Sequence, residues 1–351
     1  MLDANLKVTM SVGVKNRSSN FELLRIVSML LVMVVHANFS TIGAPTIEDW
    51  NVAPHITFVR HFVESLSIVC VDVFVLISGW FGIRFSMDRL KKFVFQILFF
   101  SLGGFAFFML TPPHSLTIFS IKNIFLFNTG DYWFIKAYLI LYLLSPVLNS
   151  FVATATRRQF QVMLGSYLLF MFVYGWLEPA SIQFTMNGTT ALSFIGLYLI
   201  GRYVRQYPPI FKNRNTYLFL YIGLSLLLAL ISCVMMNYGL RVSLSSRLYN
   251  YDNPLVILSS VSLLLYFSRL KFHSNIVNVI AASSLAVYLF HCNEYVFPYY
   301  RMLMKCLISG SNYGFILALF AILGIFILSV LIDRLRMLSY SLCQSFTKRK
   351  M

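Results

Sequence analysis

Ten stretches of this chain run apolar for lengths that meet or approach the roughly 20 residues a helix needs to cross a bilayer. They lie near residues 21–39, 63–82, 93–111, 132–152, 160–177, 189–204, 216–237, 253–268, 276–296 and 312–332, the sixth and eighth being short. Of the 351 residues, 58% are hydrophobic and 11% charged, where a soluble domain averages about 45–50% and about 25%. With 34 Phe and 20 Tyr, there is too little polar surface to face water. The chain therefore reads as all-α, a polytopic membrane helical bundle of about ten transmembrane helices, integral to the cell (inner or plasma) membrane.

The charges orient it. The formal net charge is +16, and the positives fall in small groups between apolar runs rather than on one basic domain, which argues against nucleic-acid binding. With both termini cytoplasmic and the spans alternating, 21 of the 28 Lys and Arg lie inside and 7 outside, as the positive-inside rule requires. The expected organisation is a cytoplasmic N-terminal tail (1–20), a membrane domain (21–335) and a basic cytoplasmic C-terminal tail (336–351). The connection "SLTIFSIKNIFLFNTG" (115–130) suits an interfacial helix. The first span is expected to be retained rather than cleaved. Arg25 interrupts its apolar core, and no small-residue cleavage pattern follows His36. The cysteines Cys70, Cys233, Cys292, Cys306 and Cys343 have no CxxC spacing and read as small buried hydrophobes.

The polar residues inside the spans need a reason. "FELLRIVSMLLVMVVHANF" (21–39) holds Glu22, Arg25 and His36. Arg25 and His36 are eleven residues apart, about 1100° of helix, so they share one face about 16 Å apart along the axis. Glu22 can pair with Arg25, and Asn38 faces elsewhere. Each group can snorkel to its nearest interface. Together they can also line a cavity, Arg25 binding an anion and His36 moving a proton.

In the second span Asp72 sits in mid-run, where an unpaired carboxylate is costly. It could orient His36 as the third member of a triad does, or bond a nearby backbone group or hydroxyl. Ser78-Gly79 lets another helix or a ligand approach closely, and no G-x-S-x-G surrounds Ser78. Arg84, Arg89, Lys91 and Lys92 follow at the inner interface, either as topology charge or as an anion site for the phosphates of a cytosolic cofactor.

The fourth span opens with Asp131, Trp133 and Lys136 on the outer side. Trp133 can be a belt residue, and Lys136 can snorkel or help bind an acceptor. In the ninth, His291 and Glu294 stand at i, i+3 on one face. The remaining histidines, His55, His61, His114 and His273, read as loop residues. With no H-E-x-x-H or H-x-x-E-H, no metal site is expected.

Together these residues resemble the acyltransferase-3 family of integral membrane acyltransferases. The first-helix signature is Arg, ten residues, His, met by Arg25 and His36 after "FEL". "VFVLISGWFGIR" (73–84), "YWFIKAYLILYLLSP" (132–146), "YNYDNPLVILSSVSLLLYF" (249–267) and "IAASSLAVYLFH" (280–291) resemble later segments in order. The basic run "RFSMDRLKK" departs from the pattern in having no proline after it.

The resemblance implies a bundle of about ten helices, of the bare membrane type without an appended esterase-like domain. It also implies transfer of an acyl group, usually acetyl from acetyl-CoA, to a hydroxyl of a cell-envelope carbohydrate, with Arg25 and His36 as the essential pair. The expected site is then Arg25, His36 and Asp72 for catalysis, with the donor's phosphates on Arg25, Arg84, Arg89 and Lys92. The acceptor would meet Trp133, Lys136, His291 and Glu294. A transporter or flippase of a lipid-linked saccharide is the alternative, weakened by the absence of an inverted repeat.

Overall fold

A computed structural model describes residues 17–111, 122, 124–125, 132–177, 185–209, 211, 213–238, 247–310 and 313–349, with the backbone alone for 341–349. Among the described residues the regular structure is helical, with no strand. The ten apolar stretches are all found as helices. They are α1 (Ser19–Ala37), α2 (Pro54–Ser67) running on into α3 (Cys70–Phe81), α4 (Met87–Leu110), α5 (Trp133–Thr154) and α6 (Arg157–Phe170), which ends in a π-turn. Next come α7 (Ala191–Gln206), α8 (Arg214–Asn237), α9 (Pro254–Ser268), α10 (Asn275–Ala281) with α11 (Ser284–His291), and, after the amphipathic α12 (Phe297–Gly310), α13 (Gly314–Arg349). The chain is an all-α, multi-pass membrane bundle.

Seven of these are long and apolar enough to cross a membrane: Ser19–Ile42, Pro54–Phe81, Met87–Leu110, Trp133–Thr154, Arg157–Leu177, Arg214–Asn237 and Gly314–Tyr340. The others are shorter. α7 has 16 residues and α9 has 15, and the ninth stretch is two pieces of 7 and 8 residues. Local chemistry sets several boundaries. Thr156 and Gln159 close a capping box before α6. Asn253 caps α9 through the Leu255 N–H, with Pro254 in the first turn where its missing N–H costs nothing. The second span begins earlier than its hydropathy suggests, at Pro54, so His61 lies buried within a helix rather than in a loop. α13 continues through the expected tail to Arg349. The expected interfacial helix at 115–130 and Asp131 lie almost wholly outside the described residues, as does most of the N-terminal tail.

α1 is the hub, packing against α2, α3, α9, α10, α11, α12 and α13. Elements that the charge count assigns to one side meet at one end of the bundle. At the inner-assigned end, Ser19 Oγ donates to Asn278 Oδ1 over 3.0 Å and Asn20 Nδ2 to the Phe267 carbonyl over 2.9 Å. At the other end, Asn38 Nδ2 donates to Glu64 Oε2 and to the Arg60 carbonyl, each over 3.0 Å, while Arg60 reaches the Gly43 carbonyl. Asn38, the residue just past α1, thus faces α2.

The tightest crossing joins α3 to α7. A Cβ on Gly79 would lie 2.2 Å from the Tyr198 carbonyl oxygen, and one on Gly201 would lie 2.5 Å from that of Leu76. Backbone meets backbone there because both residues lack a side chain, the close approach that small residues permit between membrane helices.

Candidate active site

Arg25 and His36 open into the same space. A cavity of about 480 Å³ runs along α1, with Arg17, Glu22 and Arg25 at one end and His36 toward the other. Its flanks are aromatic: Phe74 and Phe93, then Trp133, Phe134, Tyr251 and Tyr288. The volume is within the ~300–1,000 Å³ range of small-molecule sites. The break between α10 and α11 falls at Ala282–Ser283, and Ala281, Ala282 and Ser284 border the cavity. Small side chains at that break leave the space open.

At the charged end, Glu22 is held between two guanidiniums. Arg25 Nη1 is 2.5 Å from Glu22 Oε1, and Arg17 Nη1 is 3.5 Å from Glu22 Oε2. The carboxylate is nearly covered, at 6% side-chain exposure, while Arg25 keeps 30% and Arg17 37%. The end therefore presents two cations beside one anion, with both cations reachable by a soluble ligand. Arg17 was legible only as topology charge; α10 completes its setting, since the Asn278 carbonyl also accepts from its Nη1.

At the other end the decisive contact is between histidines. His36 Nδ1 lies 3.0 Å from His291 Nε2, and His291 Nδ1 lies 2.6 Å from the Val287 carbonyl oxygen. A carbonyl only accepts, so His291 carries its proton on Nδ1. With both rings neutral, His291 Nε2 is an acceptor and His36 Nδ1 must donate to it. The lone pair of His36 is left on Nε2, across the ring from His291. A backbone carbonyl thus sets the tautomer of one imidazole, which sets the tautomer of the other.

The segments that carry the two histidines are held from several sides. Tyr132 Oη donates to the Leu289 carbonyl over 2.5 Å, and Tyr300 Oη to the Met33 carbonyl over 2.7 Å. Asn293 Nδ2 donates to the Phe100 carbonyl over 3.2 Å. The Asn293 side chain fills the place a Cβ on Gly104 would take, 2.1 Å from such an atom.

Several sequence expectations are corrected. Asp72 does not orient His36. It is fully buried on the face of α3 toward α9, where Ser260 Oγ donates to its Oδ2 over 3.3 Å. α1 and α3 do pack together, but the side-chain partner of Asp72 is Ser260 on α9. His291 does not offer its Nε2 to an acceptor, because that nitrogen is spent on His36. Glu294 shares no helical face with His291: α11 ends at His291, and Glu294 lies in the turn beyond. Lys136 is exposed on α5, and Arg84, Arg89 and Lys92 are exposed around the start of α4. None of these four lines the cavity, whereas Trp133 does.

Ser78 lines the cavity, but its hydroxyl donates to the Phe74 carbonyl over 3.0 Å and accepts from Tyr138 Oη over 3.1 Å. It is a structural hydroxyl rather than a nucleophile. Sequence reading missed Tyr138, Tyr251 and Tyr288 as lining residues, since tyrosine is common throughout the chain.

No curated protein and no solved structure matches this chain. The profile of the acyltransferase-3 family, described as an acyltransferase domain, matches residues 18–334. That match contains Glu22 and Arg25 at one end of the cavity and the paired histidines at the other, and the chain belongs to the acyltransferase-3 family of membrane acyltransferases.

Proposed function

We propose that the chain moves an acetyl group from acetyl-CoA to a hydroxyl of a cell-envelope carbohydrate, with His36 Nε2 as general base. The observation that carries this is a single cavity lined by Arg25 at one end and His36 toward the other. The two groups are about 16 Å apart along the helix axis, a separation suited to a long, flexible pantetheine arm. The donor's phosphates would pair with Arg17 and Arg25, where charge-assisted bonds are strongest, and the thioester would lie toward His36. Trp133, Tyr251 and Tyr288 offer flat apolar faces for a sugar ring.

The reaction then needs one proton carrier. His36 Nε2 takes the proton of the acceptor hydroxyl as its oxygen attacks the thioester carbonyl. The carbon–sulfur bond breaks, and the departing CoA sulfur receives that proton from Nε2. While Nε2 holds it the imidazolium has both nitrogens protonated, and His291 Nε2 accepts from Nδ1 throughout. A neutral histidine held by a backbone carbonyl fills the orienting place that a carboxylate fills in a triad.

The test is to incubate membranes containing the protein with acetyl-CoA and candidate glycans, following free thiol and the glycan mass. Acceptor-dependent thiol release with a gain of one acetyl group supports the reading. His36→Ala should lower the rate by about 10²–10⁴-fold, the usual worth of a general base, without loss of membrane insertion. Wild-type transfer by that variant would remove the base, and saccharide movement without thiol release would favour a transporter.

A further inference from the structure

Behind His36, a third side chain that the transfer reaction does not use, Cys292, completes a cluster with the two histidines. Cys292 Sγ lies 3.5 Å from His36 Nδ1 and 3.3 Å from His291 Nε2, and those two nitrogens are 3.0 Å apart. All three ligand-type atoms are within 4.8 Å of one another. We propose that His36, His291 and Cys292 form a binding site for a zinc-class, thiophilic divalent cation, and that its occupation switches off the base at His36.

The distances fit that ion. Tetrahedral zinc, about 2.0–2.1 Å from imidazole nitrogen and about 2.3 Å from thiolate sulfur, places its ligand atoms about 3.3 Å apart for two nitrogens and about 3.6 Å for nitrogen and sulfur. The observed edges fall within about 0.3 Å of those. One imidazole is already arranged to ligate: His291 donates Nδ1–H to the Val287 carbonyl over 2.6 Å, which directs the Nε2 lone pair into the cluster as the outer partners of metal-bound histidines do. Cys292 is buried, and of the three ligands His36 alone borders the cavity, so an ion enters past the His36 ring. Local spacing could not reveal the site, because one ligand comes from α1 and the other two from the end of α11.

Ligation changes the proton inventory. The ion takes the lone pair of His291 Nε2, a thiolate from Cys292 and a lone pair at His36 Nδ1. The Cys292 proton leaves to solvent, and the His36 proton moves from Nδ1 to Nε2. The nitrogen across the ring then carries a hydrogen where transfer needs a lone pair. Binding does not require the proposed reaction, whereas the inhibitory consequence rests on His36 being its base.

The full chain in detergent, stripped with chelator, is titrated with Co²⁺ and followed by the thiolate-to-cobalt charge-transfer band, with Zn²⁺ as competitor. The site predicts one Co²⁺ per chain, displaced by Zn²⁺. The band should be lost in Cys292→Ala and in Cys292→Ser and kept in Cys306→Ser, which alters an exposed cysteine. Without metal, Cys292→Ala should transfer acetyl at close to the wild-type rate, which also shows that it folds. In the wild type Zn²⁺ should slow transfer reversibly, and Cys292→Ala should need at least about tenfold more Zn²⁺ for the same effect. No charge-transfer band, or one that persists in both Cys292 variants, overturns the site. Binding lost in both variants, together with transfer indifferent to Zn²⁺, upholds the site and counts against His36 as the base.

Discussion

His36 Nδ1 and His291 Nε2 stand 3.0 Å apart, and the Val287 carbonyl beyond His291 decides which nitrogen donates between them. On this arrangement His291 is a positioning residue: it holds the acting imidazole in one tautomer without touching substrate. His291→Ala should lower kcat by about 10–100-fold, part of what a general base contributes, with little change in either KM. His291→Gln keeps a side-chain oxygen able to accept from His36 Nδ1–H and should recover much of that loss. Equal damage from both variants, or a loss confined to KM, would contradict the role.

Asp72 provides the complementary test. Its carboxylate meets Ser260 of α9 rather than an imidazole, so Asp72→Asn, which keeps shape and hydrogen bonding, should leave transfer near the wild-type rate. A variant that folds but loses transfer would restore Asp72 to the site.

The contrast between Asp72 and His36 shows what a sequence can and cannot carry. The spans are written in composition, and the Arg25–His36 stripe in the period of a single helix. Both need only local information, and both were legible. Which side of α3 faces α1 depends on how two helices rotate against each other, and apolar residues surround Asp72 on every side. The His291 partnership is less visible still. It joins residues 255 apart, and the break at Ala282–Ser283, which sets where α11 ends, carries no proline or glycine to announce it. The basic run at Arg84, Arg89 and Lys92 was legible as charge, but charge alone does not separate a cavity mouth from a solvated surface.

At the charged end, Glu22 competes with any anion for Arg17 and Arg25. Arg25→Ala should raise the donor KM about tenfold or more, since a hydrogen bond to a charged group is worth about 1.5–3 kcal/mol. Glu22→Gln should move it the other way, because both guanidiniums lose their resident partner. The comparison is made as donor KM at several salt concentrations, with the Arg25→Ala variant less salt-sensitive than wild type. A rise in donor KM for Glu22→Gln would mean that the carboxylate holds the arginines in place instead of competing for them.

The α3–α7 crossing sets the floor beneath the site, because Ser78 precedes Gly79 and lines the cavity. In Gly79→Ala the new methyl meets the Tyr198 carbonyl oxygen at 2.2 Å, a backbone atom that cannot rotate away, so the two helices must separate. Overpacking of this kind costs about 1–3 kcal/mol, read as a fall in Tm for the protein in detergent. Gly103→Ala is the matched control. Nothing lies within 4 Å of a Cβ there, and relief of glycine's backbone entropy in a helix should stabilise by roughly 0.5–1 kcal/mol. Opposite signs at the two glycines would show that the crossing, and not helix propensity, governs the effect. A neutral Gly79→Ala would mean that α3 and α7 do not approach as closely as their backbones are placed.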